Sequence, residues 1–379
     1  MSAPDLFYPE TGPRDGWPAG AEADRAYLEI FAHRDSTALI SNLRTTIMGL
    51  RSGARVYPVT INEAEYGDAY VCLPHTAYAL YAKDELRIVD AGPWTPALGL
   101  LASSAGAMLR AARVNRIVHV NNYMLSTNLH GGWRGDDIDA IRMLLTERFP
   151  DHLIAVRSLN QWSDADLWRR FHDAGWRMLP SRQIYVTDDL TADWATRRDT
   201  KRDRAIMRTV ASRIDTLEAL RPGDAERISE LYALLYLGRY SALNPAFTPA
   251  YIEATNRTGA FHYRGLRESD GQLSAVVGCF IRGGVLTTPI VGYDTARPAS
   301  DGLYRIASYM LAQIARDRGL RLNGSAGAAS FKVNRGARPV TEYSAYFVDH
   351  LSLARRAVIG GVERLLNKVA VPLMQERGL

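Results

Sequence analysis

Cysteine is nearly absent from this chain of 379 residues: Cys72 and Cys279 stand alone, with no CxxC pair. A disulfide framework and a thiolate zinc site are thereby excluded, and a reducing, cytoplasmic setting is the expectation. Lysine is almost as scarce, occurring only at Lys83, Lys201, Lys332 and Lys368, so the net charge of +5 rests on arginine, a bias that GC-rich coding also produces. Long apolar runs are missing too. Charge interrupts every one, including Leu353–Met374, short of the roughly 18–20 residues a spanning helix needs, so no membrane is expected. The opening MSAPDLFYPETGPRDGWP places acids and prolines where an export signal has a basic start and an apolar core. The eight histidines form no HExxH or HxH, and GxSxG, the Walker loop and GxGxxG do not occur, which removes metal-site, hydrolase, kinase, NTPase and dehydrogenase readings.

What remains is an ordinary globular composition, 47% apolar and 23% charged, of a length that fits about two domains. Residues 1–22 read as an extended arm. Ala23–Leu50 carries apolar residues at helical spacing, after which the period becomes two: Arg55–Ile61, Asp68–Leu73 and Ala77–Tyr81 read as strands, with Leu86–Asp90 extending them. Helix, strand, helix, strand, helix and strand follow up to Thr187. The arginine-rich stretch 191–214 reads as a linker helix, and the same order then recurs over 215–350, where Asn244–Asn256 is left as a segment without a type. An amphipathic helix within 351–379 closes the chain. The fold class is therefore α/β in mixed layers, with one unit (23–190) repeated (215–350).

Residues in the second copy carry a resemblance: Val291-Gly-Tyr-Asp294 at a strand end, Asp301-Gly-Leu303 opening a helix, Ala315-Arg-Asp-Arg-Gly319 closing it, then Asn323-Gly-Ser-Ala-Gly327 and Phe331-Lys-Val-Asn-Arg-Gly336. The first copy echoes them with Asn121-Asn-Tyr123, Gly131-Gly-Trp-Arg-Gly135, Ala174-Gly-Trp-Arg177 and Pro180-Ser-Arg182. The chain resembles a tandem GCN5-related N-acetyltransferase (GNAT) fold, its second half similar to the FemAB and BioF2-like acyltransferases. The resemblance implies transfer of an acyl group to an amine from acyl-CoA, an acyl-carrier protein or aminoacyl-tRNA, with tRNA or a carrier protein as partner in the latter cases. The expected acceptor is a small amine, of a specialised metabolite in the thioester case. The other class of answer is a non-catalytic ligand-binding module.

Donor phosphates need backbone N–H groups at a helix start. Two loops qualify: Arg297, Ser300, Gly302 and Arg305 in the second copy, and Gly131, Gly132, Arg134 and Gly135 in the first. For proton transfer, the resemblance implies a tyrosine four residues before a late glycine; that spacing gives Lys332 before Gly336 and Phe171 before Gly175, so only the second copy keeps a chargeable group. Asp294 is the first candidate for accepting the amine proton, Tyr293 and Tyr343 are candidates for hydrogen bonding, and Glu342 ranks below them. Tyr236, Tyr240, Asn244 and Phe247 are candidate acceptor contacts, and Tyr66, Tyr70 and Asn122 their counterparts in the first copy.

Overall fold

The computed structural model describes residues 3–84, 95–372 and 374. The first copy runs β1 (Asp5–Phe7), α1 (Glu22–Glu29), α2 (Ser36–Leu39), β2 (Thr46–Ser52), β3 (Arg55–Asn62), α3 (Thr95–Ala111), β4 (Ile117–Val120), α4 (Ile138–Arg148), β5 (Leu153–Leu159), α5 (Ala165–Asp173) and β6 (Arg177–Thr187). After α6 (Arg198–Val210) come β7 (Ile214–Thr216), α7 (Asp224–Leu235), α8 (Pro249–Arg257), β8 (His262–Arg267), β9 (Leu273–Arg282), β10 (Val285–Tyr293), α9 (Leu303–Asp317), β11 (Arg321–Asn323), α10 (Ala329–Val333) and β12 (Arg338–Phe347). The last is α11 (Leu353–Leu365).

The strands form one sheet in the order β1-β2-β3-β4-β5-β12-β6-β11-β10-β9-β8-β7. Adding six to each strand number of the first copy gives its counterpart, and the pairings agree: β2–β3 and β8–β9 are antiparallel, β3–β4 and β9–β10 antiparallel, β4–β5 and β10–β11 parallel. The duplication is thus written in the pairing itself. The two mixed sheets expected from the sequence are continuous, because each copy's last strand leaves its own copy. β12 pairs with β5, β6 pairs with β11, and β6 and β12 pair with each other from Arg338↔Val186 to Tyr346↔Arg177.

Helices cover both faces, so central strands such as β9 read as nearly unbroken apolar runs. One layer packs α4 and α5 through Ile141, Leu145 and Phe171; on the opposite face α3 and α11 contribute Leu109 and Ile359. α7 lies directly on β10: a Cβ at Gly292 would come within 2.7 Å of the Leu231 carbonyl carbon, so only glycine fits there.

Three local expectations change. Thr46–Ser52 is a strand rather than the end of a helix; Ile47 and Leu50 satisfy a helical spacing, but seven-residue pairing with β3 outweighs it. Asp68–Leu73 is a turn and Ala77–Tyr81 a wide helical turn, because loops claim the backbone here: Tyr70 N–H donates to Leu243 O of the other copy and Ala69 N–H to Asn42 O of its own. Leu86–Asp90 lies outside the described residues. Ordering of the second copy's Asn244–Asn256 comes from Thr248, whose hydroxyl accepts from Tyr251 N–H and caps α8.

The exchange makes a strong prediction. A chain stopped after Gly336 lacks β12 and α11, and the loss of β12 strips β5 and β6 of the first copy of their shared neighbour. Amide exchange should show lost protection in β5 and β6; retained protection there would contradict the pairing.

Candidate functional site

The parallel pairs β4–β5 and β10–β11 each run in register for three residues, Ile117↔Leu153 to His119↔Ala155 and Val285↔Arg321 to Thr287↔Asn323. β5 and β10 then continue while their partners turn away, leaving a wedge in each copy. This register makes Arg157 the counterpart of Ser325. In the first copy the Arg157 guanidinium occupies the wedge, donating through Nη1 to Val71 O (2.8 Å) and Asn122 Oδ1 (3.2 Å). In the second copy the wedge ends in the short Ser325 side chain.

At the seam between the copies, Lys332 on α10 reaches back to this turn. Its Nζ donates to Ala326 O at 2.7 Å and Ser325 O at 3.2 Å, and it lies 5.6 Å from the centre of the Tyr185 ring. Burial, with the positive charge of Arg182 added, pushes its pKa down to about 7. Arg182 on β6 donates to Glu342 Oε1 on β12 (2.9 Å), and to Ser126 O and Thr127 Oγ1 (both 2.5 Å). Burial opposes that guanidinium's charge, and the Glu342 carboxylate is the main group that favours it. Thr127 Oγ1 in turn donates to Ser325 Oγ at 3.4 Å. Glu342 is 2% exposed, and its Oε2 has no partner among the described residues. The exchange of β6 and β12 is what makes this ion pair: its partners are 160 residues apart and face each other across the two crossed strands.

Other expected residues fall in different places. Tyr293 joins an aromatic row at the mouth of the second wedge, 5.9 Å from Tyr304, which packs 4.7 Å from Phe331 beside Lys332. Tyr236 stacks on Tyr232 and Tyr240 on Tyr236, at 4.8 and 5.9 Å. Tyr70 is 4.7 Å from Tyr81 and faces Arg157. Tyr66 lies apart, under Arg110. Asn244 is buried and bonds to Tyr236 O and Ser241 O; Phe247 is core, stacked on Tyr251; Asn122 is a buried hub joining Thr60, Val71 and Arg157. Tyr343 packs on Trp168 of α5, among side chains of the α4–α5 layer. Asp294 has both oxygens engaged, Oδ2 by Arg227 and Oδ1 by Ala296 N–H.

Neither helix start is a bare phosphate cradle. At α9, Arg297 is held by Asp301 (2.6 Å) and Glu268 (3.0 Å), and Arg305 by Asp203 (2.6 Å). Gly302 has φ +67°, and the side chain of Ile206 on α6 lies 3.5 Å from where its Cβ would stand. Ser300 is exposed on the rim of a cavity of about 510 Å³ that Glu268 and Asp301 also line. At α4, Asp137 takes up the positive helix end, accepting from Trp133 Nε1 and Tyr57 Oη. Gly131 packs against Arg282, the Gly132 carbonyl accepts from Arg55, Gly135 packs on Arg170, and Arg134 points to solvent.

Sequence reasoning passed over Arg182, although Pro180-Ser-Arg182 was in view. A charge in the apolar alternation RMLPSRQIYVT was the available signal. It also ranked Glu342 too low, since its partner comes from the other copy.

No protein-family model and no curated protein sequence matches the chain. Solved structures do resemble it. L-PGS from Bacillus licheniformis is 17% identical, with 60% of this chain and 77% of that one covered at a TM-score of 0.44. A tandem GNAT protein from the clavulanic acid biosynthesis pathway is 12% identical, with coverage of 89% and 90% and a TM-score of 0.39. FemX is 9% identical over 55% and 76%, at 0.41. All three scores lie below 0.5, and the chemistry is read from the side chains.

Two outcomes follow. With the lysines reductively methylated, one NMR resonance, absent from Lys332→Arg, should titrate with a midpoint near 7; a midpoint at the usual lysine value of ~10.4 would contradict the enclosure. Asp203, 3% exposed, bridges Arg305 and Arg335, so Asp203→Ala should cost about 3–5 kcal/mol in urea unfolding by leaving the buried Arg335 with only Asp199, 3.9 Å away.

Proposed function

We propose that the protein is an N-acyltransferase that moves an acyl group from a thioester, on coenzyme A or a carrier protein, to the amine of a small acceptor, and that the seam between the copies is its active site. The observation that carries this is Lys332, a half-buried amine beside the fixed Arg182–Glu342 pair at the open end of the second wedge. The acceptor nitrogen attacks the thioester carbonyl carbon, the C–S bond breaks, and an amide forms. One proton leaves the nitrogen and one must reach the departing sulfur. A lysine poised near neutrality is matched to both tasks, taking the first proton as the free amine and delivering it as the ammonium. Arg182, permanently charged, faces the oxyanion of the tetrahedral intermediate. Glu342 is a positioning residue: it fixes the Arg182 guanidinium.

A second reading has aminoacyl-tRNA as donor. It is favoured by the face of α6, where Arg198, Lys201 and Arg208 are exposed and have no carboxylate partner among the described residues, and by the occupied start of α9. If ribonuclease abolishes product in a crude assay and added acyl-CoA does not restore it, the tRNA reading replaces the thioester one.

The test of the main reading is thiol release from a panel of acyl-CoA donors with primary amines. Lys332→Ala should lose roughly 10²–10³ in kcat/KM. Lys332→Arg keeps the charge but cannot give up a proton near neutrality, and should remain impaired and lose the limb of the pH profile near 7. Asp294→Asn should leave kcat/KM nearly unchanged, because Asp294 serves its own turn and Arg227. Full activity in Lys332→Arg would show that only a charge is needed there.

A further inference from the structure

Three cations converge on one short loop. Arg157 Nη1 donates to Leu125 O at 3.4 Å, Arg182 Nη2 donates to the next carbonyl, Ser126 O, and to Thr127 Oγ1, and Thr127 connects through Ser325 to Lys332. Tyr70 stands beside them, its ring centre 5.9 Å from the Arg157 guanidinium. Against these cations stands one contacting carboxylate, Glu342, and it is bonded to Arg182. Among the described residues neither Arg157 nor Lys332 has a carboxylate within ion-pair distance.

Cations drawn out of water are ordinarily paired, since an isolated buried charge is costly. Two like charges on consecutive carbonyls of one loop also repel each other. Elsewhere the most deeply buried arginines are paired, Arg335 by Asp203, Arg267 by Asp224 and Arg282 by Asp24, while half-buried Arg204, Arg321 and Arg355 rest singly on carbonyls. What sets the seam apart is the meeting of three such cations on one loop. Unlike the stripe on α6, its cations are half-buried or buried, and they come from both copies.

We propose that the seam binds an oxyanion, a carboxylate or a phosphate, and that the acceptor amine carries this group, held between Arg157 and Arg182 of the first copy and Lys332 of the second. The substrate class rests on the acyl-transfer reading; the anion site does not. Arg157 fills the first copy's wedge and closes it as a reaction centre, while presenting its charge to the seam. The first copy is thereby the recognition half for a substrate on which the second copy acts. Its guanidinium fork suits a planar carboxylate and also a phosphate, so the two are separated by experiment.

The site is tested by calorimetry on the full chain with inorganic phosphate and, separately, acetate, together with the methyl resonance of reductively methylated Lys332. At least one anion should bind and displace that resonance. Arg157→Gln should weaken binding at least tenfold. Lys332→Met, at a half-buried position on the five-residue helix α10, should weaken it as well, and covers the case in which Arg157→Gln fails to fold. In the assay, glycine is set against glycinamide and phosphoethanolamine against ethanolamine. Preference for the acid member of one pair, lost in Arg157→Gln mainly as a rise in KM, identifies the anion. Binding of neither anion with no shift of Lys332 overturns the site even if acyl transfer is found; anion binding without turnover of any amine overturns the acyl-transfer reading and leaves the site standing. Equal use of both members of both pairs overturns the substrate class.

Discussion

The exchange of β6 and β12 is the constraint on which the rest depends. Were each terminal strand to stay in its own copy, the molecule would be two sheets with two independent wedges, and Arg182 would not meet Glu342. Crossing them merges the sheets and places the cooperative unit at the junction. It also sets an arginine and a glutamate face to face in the middle of a twelve-stranded sheet, with the Lys332 turn above them. The loops then lock the arrangement from outside: Asn42 donates to Ala242 O and Asn244 O, and Arg282 pairs with Asp24. The Arg182–Glu342 pair is a weak source of stability, since desolvation offsets most of its attraction, but removing either partner leaves the other buried and charged.

The two copies differ at the positions on which the proposed chemistry rests. At the position where the second copy has Lys332, the first has Phe171, fully buried between Trp133 and Trp176. At the position of Ser325 it has Arg157, which fills the wedge from within. The first copy thus has core where the second has a chargeable group, and a guanidinium where the second has an opening. In the second copy the start of α9 is occupied, because α6 packs there and brings Asp203 with it.

The repeat and the element order were legible because each element has a local signature: period, turn glycine, cap. Lys332 stood out for a related reason, a rare lysine in an arginine-biased chain at a fixed distance from Gly336. The strand exchange was not legible, since nothing in the alternation of β12 says which neighbour it will take. Everything that depends on the exchange was hidden with it. Glu342 looked like a strand-start carboxylate, and Asp294, at a strand end with no visible partner, looked freer than it is once Arg227 folds over it. The helical spacing of Ile47 and Leu50 misled for the same reason, as pairing with β3 decided their conformation.

The central claim is that residues of both copies act as one site across the crossed strands. A double-mutant cycle on kcat/KM tests it most directly, with Arg182→Lys from the first copy and Lys332→Arg from the second. Groups in one network couple, while independent sites give additive free energies. The account predicts a coupling of at least about 1 kcal/mol, within the range for interacting residues; additivity would contradict it, and would place the two residues in separate functions.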